Sequence, residues 1–162
     1  MKAVNFFAII LSLTFVLSLS GCMRKDTNED SSSAGSMTAT VQQYKDGEYK
    51  ASAELYDDSD YKATVKVVVK DGAVYSVDCD ADKKGGGTKK ADSESGKYNM
   101  KQGGAQYEWH EEIAFFEKYV TQNGVDAVSL KGDGKTDVIT GCTIAVSDYV
   151  DLIKEALKKA EK

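Results

Sequence analysis

The chain has 162 residues, with 26 acidic and 21 basic side chains, one His, three Cys and no Pro. A net charge of −5 argues against a nucleic-acid binder, which carries a basic stripe to neutralise phosphates. One His argues against a His-rich zinc site or a Ser-His-Asp triad, and the lack of Pro against a Pro-rich stalk.

Residues 3–19 are nearly all apolar and follow the single basic Lys2. The run is short for a spanning helix of about 20 residues and fits the apolar core of a signal peptide. Leu19-Ser20-Gly21-Cys22 follows it, and this resembles a bacterial lipobox. The resemblance implies cleavage after residue 21, acylation of Cys22 and a palmitate-type lipid anchor in the membrane. The protein is then held on the extracytoplasmic side of a bacterial cell membrane. Residues 22–43 are rich in Ser, Thr, Asp and Gly without a periodic apolar face, which reads as a flexible, lipidated tether.

From residue 44 the pattern becomes that of one domain, 44–162. Tyr49, Ala51, Ala53 and Leu55 alternate with polar residues, as do Tyr61, Ala63, Val65, Val67 and Val69. Asp71-Gly72 is a hairpin-turn dipeptide, and Tyr75, Val77, Cys79 and Ala81 continue the inward face on the return strand. Residues 80–106 show no amphipathic period and read as a long loop, either a bland surface loop or a functional one. Residues 107–123 predict a helix with Trp109, Ile113, Phe116 and Val120 on one stripe, stopped by Asn123-Gly124. Val125–Leu130 reads as a short strand and Val138–Val146 as a last strand interrupted by Gly141. Ser147 is the expected N-cap of a final helix that buries Val150, Ile153, Leu157 and Ala160. The sum is an α+β domain, a small antiparallel sheet packed against two main helices.

Several motif fragments fail on spacing. Gly134-Lys135-Thr136 resembles the end of a P-loop, but Ser129 stands where its first Gly belongs. Asp78, Asp80 and Asp82 imitate an EF-hand start, but Lys83 and Lys89 occupy the Gly and Glu positions. Trp109-His110-Glu111-Glu112 lacks the second His of a zinc helix. No metal ligand set is expected. Cys79 and Cys142 are either small buried hydrophobes or, outside the cytoplasm, a disulfide pair.

Asp137-Val138-Ile139-Thr140-Gly141-Cys142-Thr143 resembles the attachment motif of the FMN-binding domain family: Asp, two variable residues, Ser or Thr, Gly, Ala, then Thr or Ser. Asp46-Gly47-Glu48-Tyr49 and Val67–Val74 resemble the family's opening and hairpin, and Val125-Asp126-Ala127-Val128 the stretch before the motif. The sequence departs in having Cys142 for Ala and in the spacer Ser129–Thr136. In that family a flavin transferase joins FMN to the last Thr as a phosphoester. The resemblance implies Thr143 as acceptor, with Asp137, Thr140, Gly141 and Cys142 as recognition elements. It also implies an electron carrier rather than a substrate-converting enzyme, served by a membrane redox donor and an extracellular acceptor.

Aromatic side chains stack on flavin rings, which makes Trp109, Tyr98 and Tyr107 candidates, although Trp109 equally fits core packing. Lys89 or Lys90 would complement negative charge. The alternative function is a non-catalytic lipoprotein of the same fold that binds a ligand or partner without flavin.

Overall fold

The computed structural model describes residues 44–161. The expected signal peptide 1–21, the Cys22 lipidation site and the 22–43 tether lie outside the described residues, as does Lys162. Three strands form an antiparallel meander in the order β1 (Gly47–Ser52), β2 (Tyr61–Lys70), β3 (Ala73–Lys83). Ala51 faces Val65 across the first pair, and Val65 faces Cys79 across the second. Period-two alternation puts Val65, Val67 and Val69 of β2 and Val77, Cys79 and Ala81 of β3 on one buried face.

The β2–β3 turn is Asp71-Gly72, both with positive φ, 53° and 76°. Those values match the twist of a two-residue hairpin. The Asp46 carboxylate accepts hydrogen bonds from the Asp71 and Gly72 backbone N–H groups, at 3.1 and 2.9 Å. The Asp-Gly-x-Tyr opening therefore ties the start of β1 to the neighbouring hairpin. One register detail breaks the expected alternation. Val69 pairs with Val74 but Val68 with Ser76, which leaves Tyr75 as the extra residue of a bulge. Tyr75 consequently points outward, 61% exposed, with Lys70 Nζ 3.7 Å from its ring centroid.

Three helices complete the fold: α1 (Lys89–Glu94), α2 (Trp109–Asn123) and α3 (Ser147–Lys158). The stripe of α2 buries Trp109, Ile113, Phe116 and Val120 against β3. The Glu111 carboxylate accepts from the Glu108 N–H at 2.8 Å, which satisfies a donor at the helix start. The α3 helix packs on β1 and β2, and its Ile153 and Ala156 are fully buried. Burying side chains such as Phe116, Ile113 and Ile153 contributes roughly 1.5–3 kcal/mol each. Both predicted helices and the antiparallel sheet are present, and the domain is α+β. Among the described residues no helix is long and apolar enough to cross a membrane.

Four local readings change. The 80–106 stretch is not one long loop: β3 runs on to Lys83, α1 occupies Lys89–Glu94 and a 3-10 turn spans Lys101–Gly103. The α1 helix is too short to carry an amphipathic period. It is started by Thr88, whose hydroxyl accepts from the Ala91 N–H at 3.3 Å. Val125–Ala127 is a 3-10 turn rather than a strand, and its buried Val125 and half-buried Val128 are three residues apart. Residues 138–146 are irregular, and buried Ile139, Cys142 and Val146 recur at three and four residues, not two. Helix α3 begins at Ser147 itself, with Val146 in the cap position and no side-chain cap.

Candidate functional site

The segment after Thr136 turns sharply at Gly141, where φ is 84°. A Cβ there would lie 2.9 Å from Phe115 Cε2 and 3.3 Å from Tyr107 Cε2. Phe115 and Tyr107 meet edge to face, 5.1 Å between centroids, so an aromatic pair supports the turn from beneath. Gly at 141 is thus required twice, for its backbone conformation and for the close approach. The Cys142 N–H closes the turn on the Ile139 carbonyl at 3.2 Å, and the Cys142 side chain is buried. Burial first, and then the nearby Glu112 charge, push its thiol up to about 11. Cys79 is also buried, and both cysteines are free.

The turn delivers Thr143 to a buried carboxylate. Glu112 of α2 is 1% exposed. Its carboxylate accepts hydrogen bonds from the Thr143 hydroxyl (3.0 Å to each oxygen), the Ile144 N–H (3.0 Å) and the Thr143 N–H. Glu112 makes no ion pair among the described residues. These bonds replace the strand ladder that the sequence pattern led one to expect at 143–144.

Thr143 also lines a cleft of about 720 Å³. Five aromatic residues contribute to its wall: Tyr56, Tyr61, Tyr98, Trp109 and Tyr149. Trp109 is 3% exposed and packs 6.2 Å from Tyr149, centroid to centroid. It is a core residue that presents one part to the cleft. Lys89 Nζ lies 4.6 Å from the Tyr98 ring centroid, 5.1 Å from that of Tyr61 and 5.3 Å from that of Trp109. Lys135 lines the cleft as well.

Behind this wall, Tyr61 donates its hydroxyl hydrogen to Asp92 Oδ2 at 2.7 Å, and Lys83 pairs with the same oxygen. Burial and then the Asp92 hydrogen bond push the Tyr61 phenol up to about 12. The Lys83 and Tyr61 hydrogen bonds hold the Asp92 carboxyl below its usual range.

The remaining candidates separate. Tyr107 supports Gly141 and is not part of the cleft wall. Lys90 is engaged elsewhere, 2.6 Å from Asp78 and 2.7 Å from Glu117. Burial opposes its charge, but the hydrogen bonds it donates to these two carboxylates outweigh that and raise the pKa. Asp137 and Thr140 are exposed beside the turn, with Asp137 paired to Lys131 at 2.6 Å. Thr136 donates to the Ser129 carbonyl at 2.8 Å, and the Gly134 carbonyl accepts from the Val146 N–H at 2.8 Å. The P-loop-like fragment is therefore a structural brace. Among the described residues no cluster of His, Cys, Asp or Glu could hold a metal ion.

Sequence reasoning missed Glu112. A signal was present: Glu112 is three residues after Trp109 and four before Phe116, within the buried stripe of α2. A charge in such a stripe needs partners.

No family model matches the chain, and no curated protein matches it. Two solved structures from structural-genomics programmes are similar. One is a solution NMR structure of a Clostridium thermocellum protein, at 43% identity over 73% of this chain and 93% of that one, with a TM-score of 0.56. The other is a crystal structure of a Clostridium perfringens protein, at 26% identity over 72% of this chain and 88% of that one, also with a TM-score of 0.56. The chain belongs to the same family as the Clostridium thermocellum protein.

Proposed function

We propose that this member of that family is a membrane-anchored, extracytoplasmic flavoprotein that carries FMN on Thr143 as a phosphoester and transfers electrons. The observation that carries the reading is the position of Thr143, in the FMN-attachment-like motif and on the wall of an aromatic cleft. Cofactor pockets occupy roughly 300–1,000 Å³, and the cleft is within that range. A wall that includes five aromatic residues suits a planar tricyclic ring. The Lys89 ammonium, set among three rings, supplies positive charge for an electron-rich ring or a phosphate. The residues fit the group.

When bound, FMN supplies the redox chemistry. The chain supplies attachment, position and electrostatics. Thr143 provides the ester oxygen, which prevents loss by dilution outside the cell. Asp137 and Thr140, exposed beside the turn, are the surface a flavin transferase would read. The Cys142 departure is absorbed by the core, since its side chain is buried. The lipid on Cys22 would hold the domain at the membrane, between a membrane redox donor and an extracellular acceptor.

The test is the mass of the Thr143 peptide after co-expression with a flavin transferase. The expected result is one added FMN, a yellow protein, and no adduct in Thr143→Val. That variant removes one donor from Glu112 and costs roughly 1–2 kcal/mol, so the domain stays folded. An unmodified peptide alongside a modified control carrier refutes the reading. A colourless protein from native membranes supports the flavin-free binding lipoprotein instead.

A further inference from the structure

We propose that Glu112 is the proton acceptor that activates Thr143 for esterification. The inference rests on the flavin-ester reading and adds a residue to it. Three observations combine. First, the Thr143 hydroxyl donates to the Glu112 carboxylate at 3.0 Å, within the reach of a nucleophile and its base. Second, the hydroxyl hydrogen is committed to the protein interior while Thr143 lines the cleft. The oxygen lone pairs are therefore left for an electrophile arriving from the cleft. Third, the carboxylate is held in place by two backbone N–H groups, those of Thr143 and Ile144, with no Lys or Arg ion pair among the described residues. A cation there would weaken it as a base. Backbone N–H groups orient it through the same turn that positions the nucleophile.

The step balances as follows. Thr143 Oγ1 forms a bond to the flavin-side phosphorus of a phosphoanhydride-linked flavin nucleotide presented by the transferase. The anhydride P–O bond breaks, and its electron pair leaves with the departing nucleotide phosphate. The Oγ1–H bond breaks, and the proton passes to the Glu112 carboxylate and then to the departing phosphate or to water. Glu112 is regenerated as a carboxylate, still held by its two backbone donors.

The experiment follows the rate of FMN addition to the Thr143 peptide by mass spectrometry. It uses the full-length lipoprotein in detergent with purified transferase and a flavin dinucleotide. Glu112→Gln keeps the shape, but its amide nitrogen points a donor at Oγ1 and takes no proton. The expected loss is about 100-fold in rate, in the range of general-base catalysis, with partial rescue by Glu112→Asp. The wild-type rate should also show a solvent deuterium isotope effect that Glu112→Gln lacks, because only the carboxylate takes the hydroxyl proton in the step. A purely structural role does not produce that effect.

A folded Glu112→Gln within about threefold of wild type, or one with an unchanged solvent isotope effect, overturns the proposal. If Glu112→Gln does not fold, wild type and Glu112→Asp are compared. A solvent isotope effect that differs between the two supports the base, and an identical one overturns it. A wild-type chain left unmodified, with a control carrier modified, refutes the flavin-ester reading itself.

Discussion

Gly141→Ala tests the geometry on which Thr143 depends. Two costs are expected. An L side chain at a φ of 84° is strained by roughly 1–2 kcal/mol. The new Cβ would also sit 2.9 and 3.0 Å from Phe115 Cε2 and Cδ2, and overpacking of that kind costs roughly 1–3 kcal/mol. Phe115 is half-buried and is able to shift, which favours the lower part of that range. The sum is about 2–4 kcal/mol, or a fall in Tm of roughly 10 °C for a domain of this size.

Two glycines separate the costs. Gly104 has a φ of 92° and nothing within 4 Å of its would-be Cβ, so Gly104→Ala carries strain alone. Gly132 has neither positive φ nor a close neighbour, so Gly132→Ala should be near neutral. Urea denaturation of the three variants should rank Gly141→Ala below Gly104→Ala, and Gly104→Ala below Gly132→Ala. Combining Gly141→Ala with Phe115→Leu should recover part of the loss, as a double-mutant cycle would measure. If Gly141→Ala is no less stable than Gly104→Ala, the argument that the turn rests on Phe115 is wrong.

Two further outcomes follow from the titration of buried groups. Burial raises the Cys142 thiol to about 11 and the Cys79 thiol well above its ordinary value. Neither should react with Ellman's reagent at pH 8 in the native protein, and both should in guanidinium; rapid native labelling of either would refute this. Tyr61 must stay protonated to donate to Asp92, and its pKa is raised from 10.0 to about 12. Because the folded value is the higher one, its contribution is complete below about 10 and is lost as pH rises through about 12. Tyr61→Phe should flatten the fall in urea midpoint across that window, and curves parallel to wild type would refute the assignment.

The core-facing face of β2, the hairpin and the helical stripes were legible because burial imposes simple periods. Val65, Val67 and Val69 alternate, and Trp109, Ile113, Phe116 and Val120 recur on one helical face. The side of Tyr75 was not legible, because one extra residue in a bulge reverses strand parity without a local signature. Residues 138–146 looked like a strand because they are apolar and β-branched. Their backbone donors instead found a carboxylate 31 and 32 residues away in sequence.

The candidate site divides in the same way. The sequence alone carried the attachment-like motif and the acceptor hydroxyl of Thr143, since these are residue types at fixed local spacing. Only the tertiary structure brought Glu112 to that hydroxyl, set Lys89 among three rings, and separated Lys89 from Lys90 and Tyr98 from Tyr107. Such pairings depend on how α1 and α2 pack against β3 and the 141 turn. Those are contacts between distant parts of the chain, and no local period encodes them.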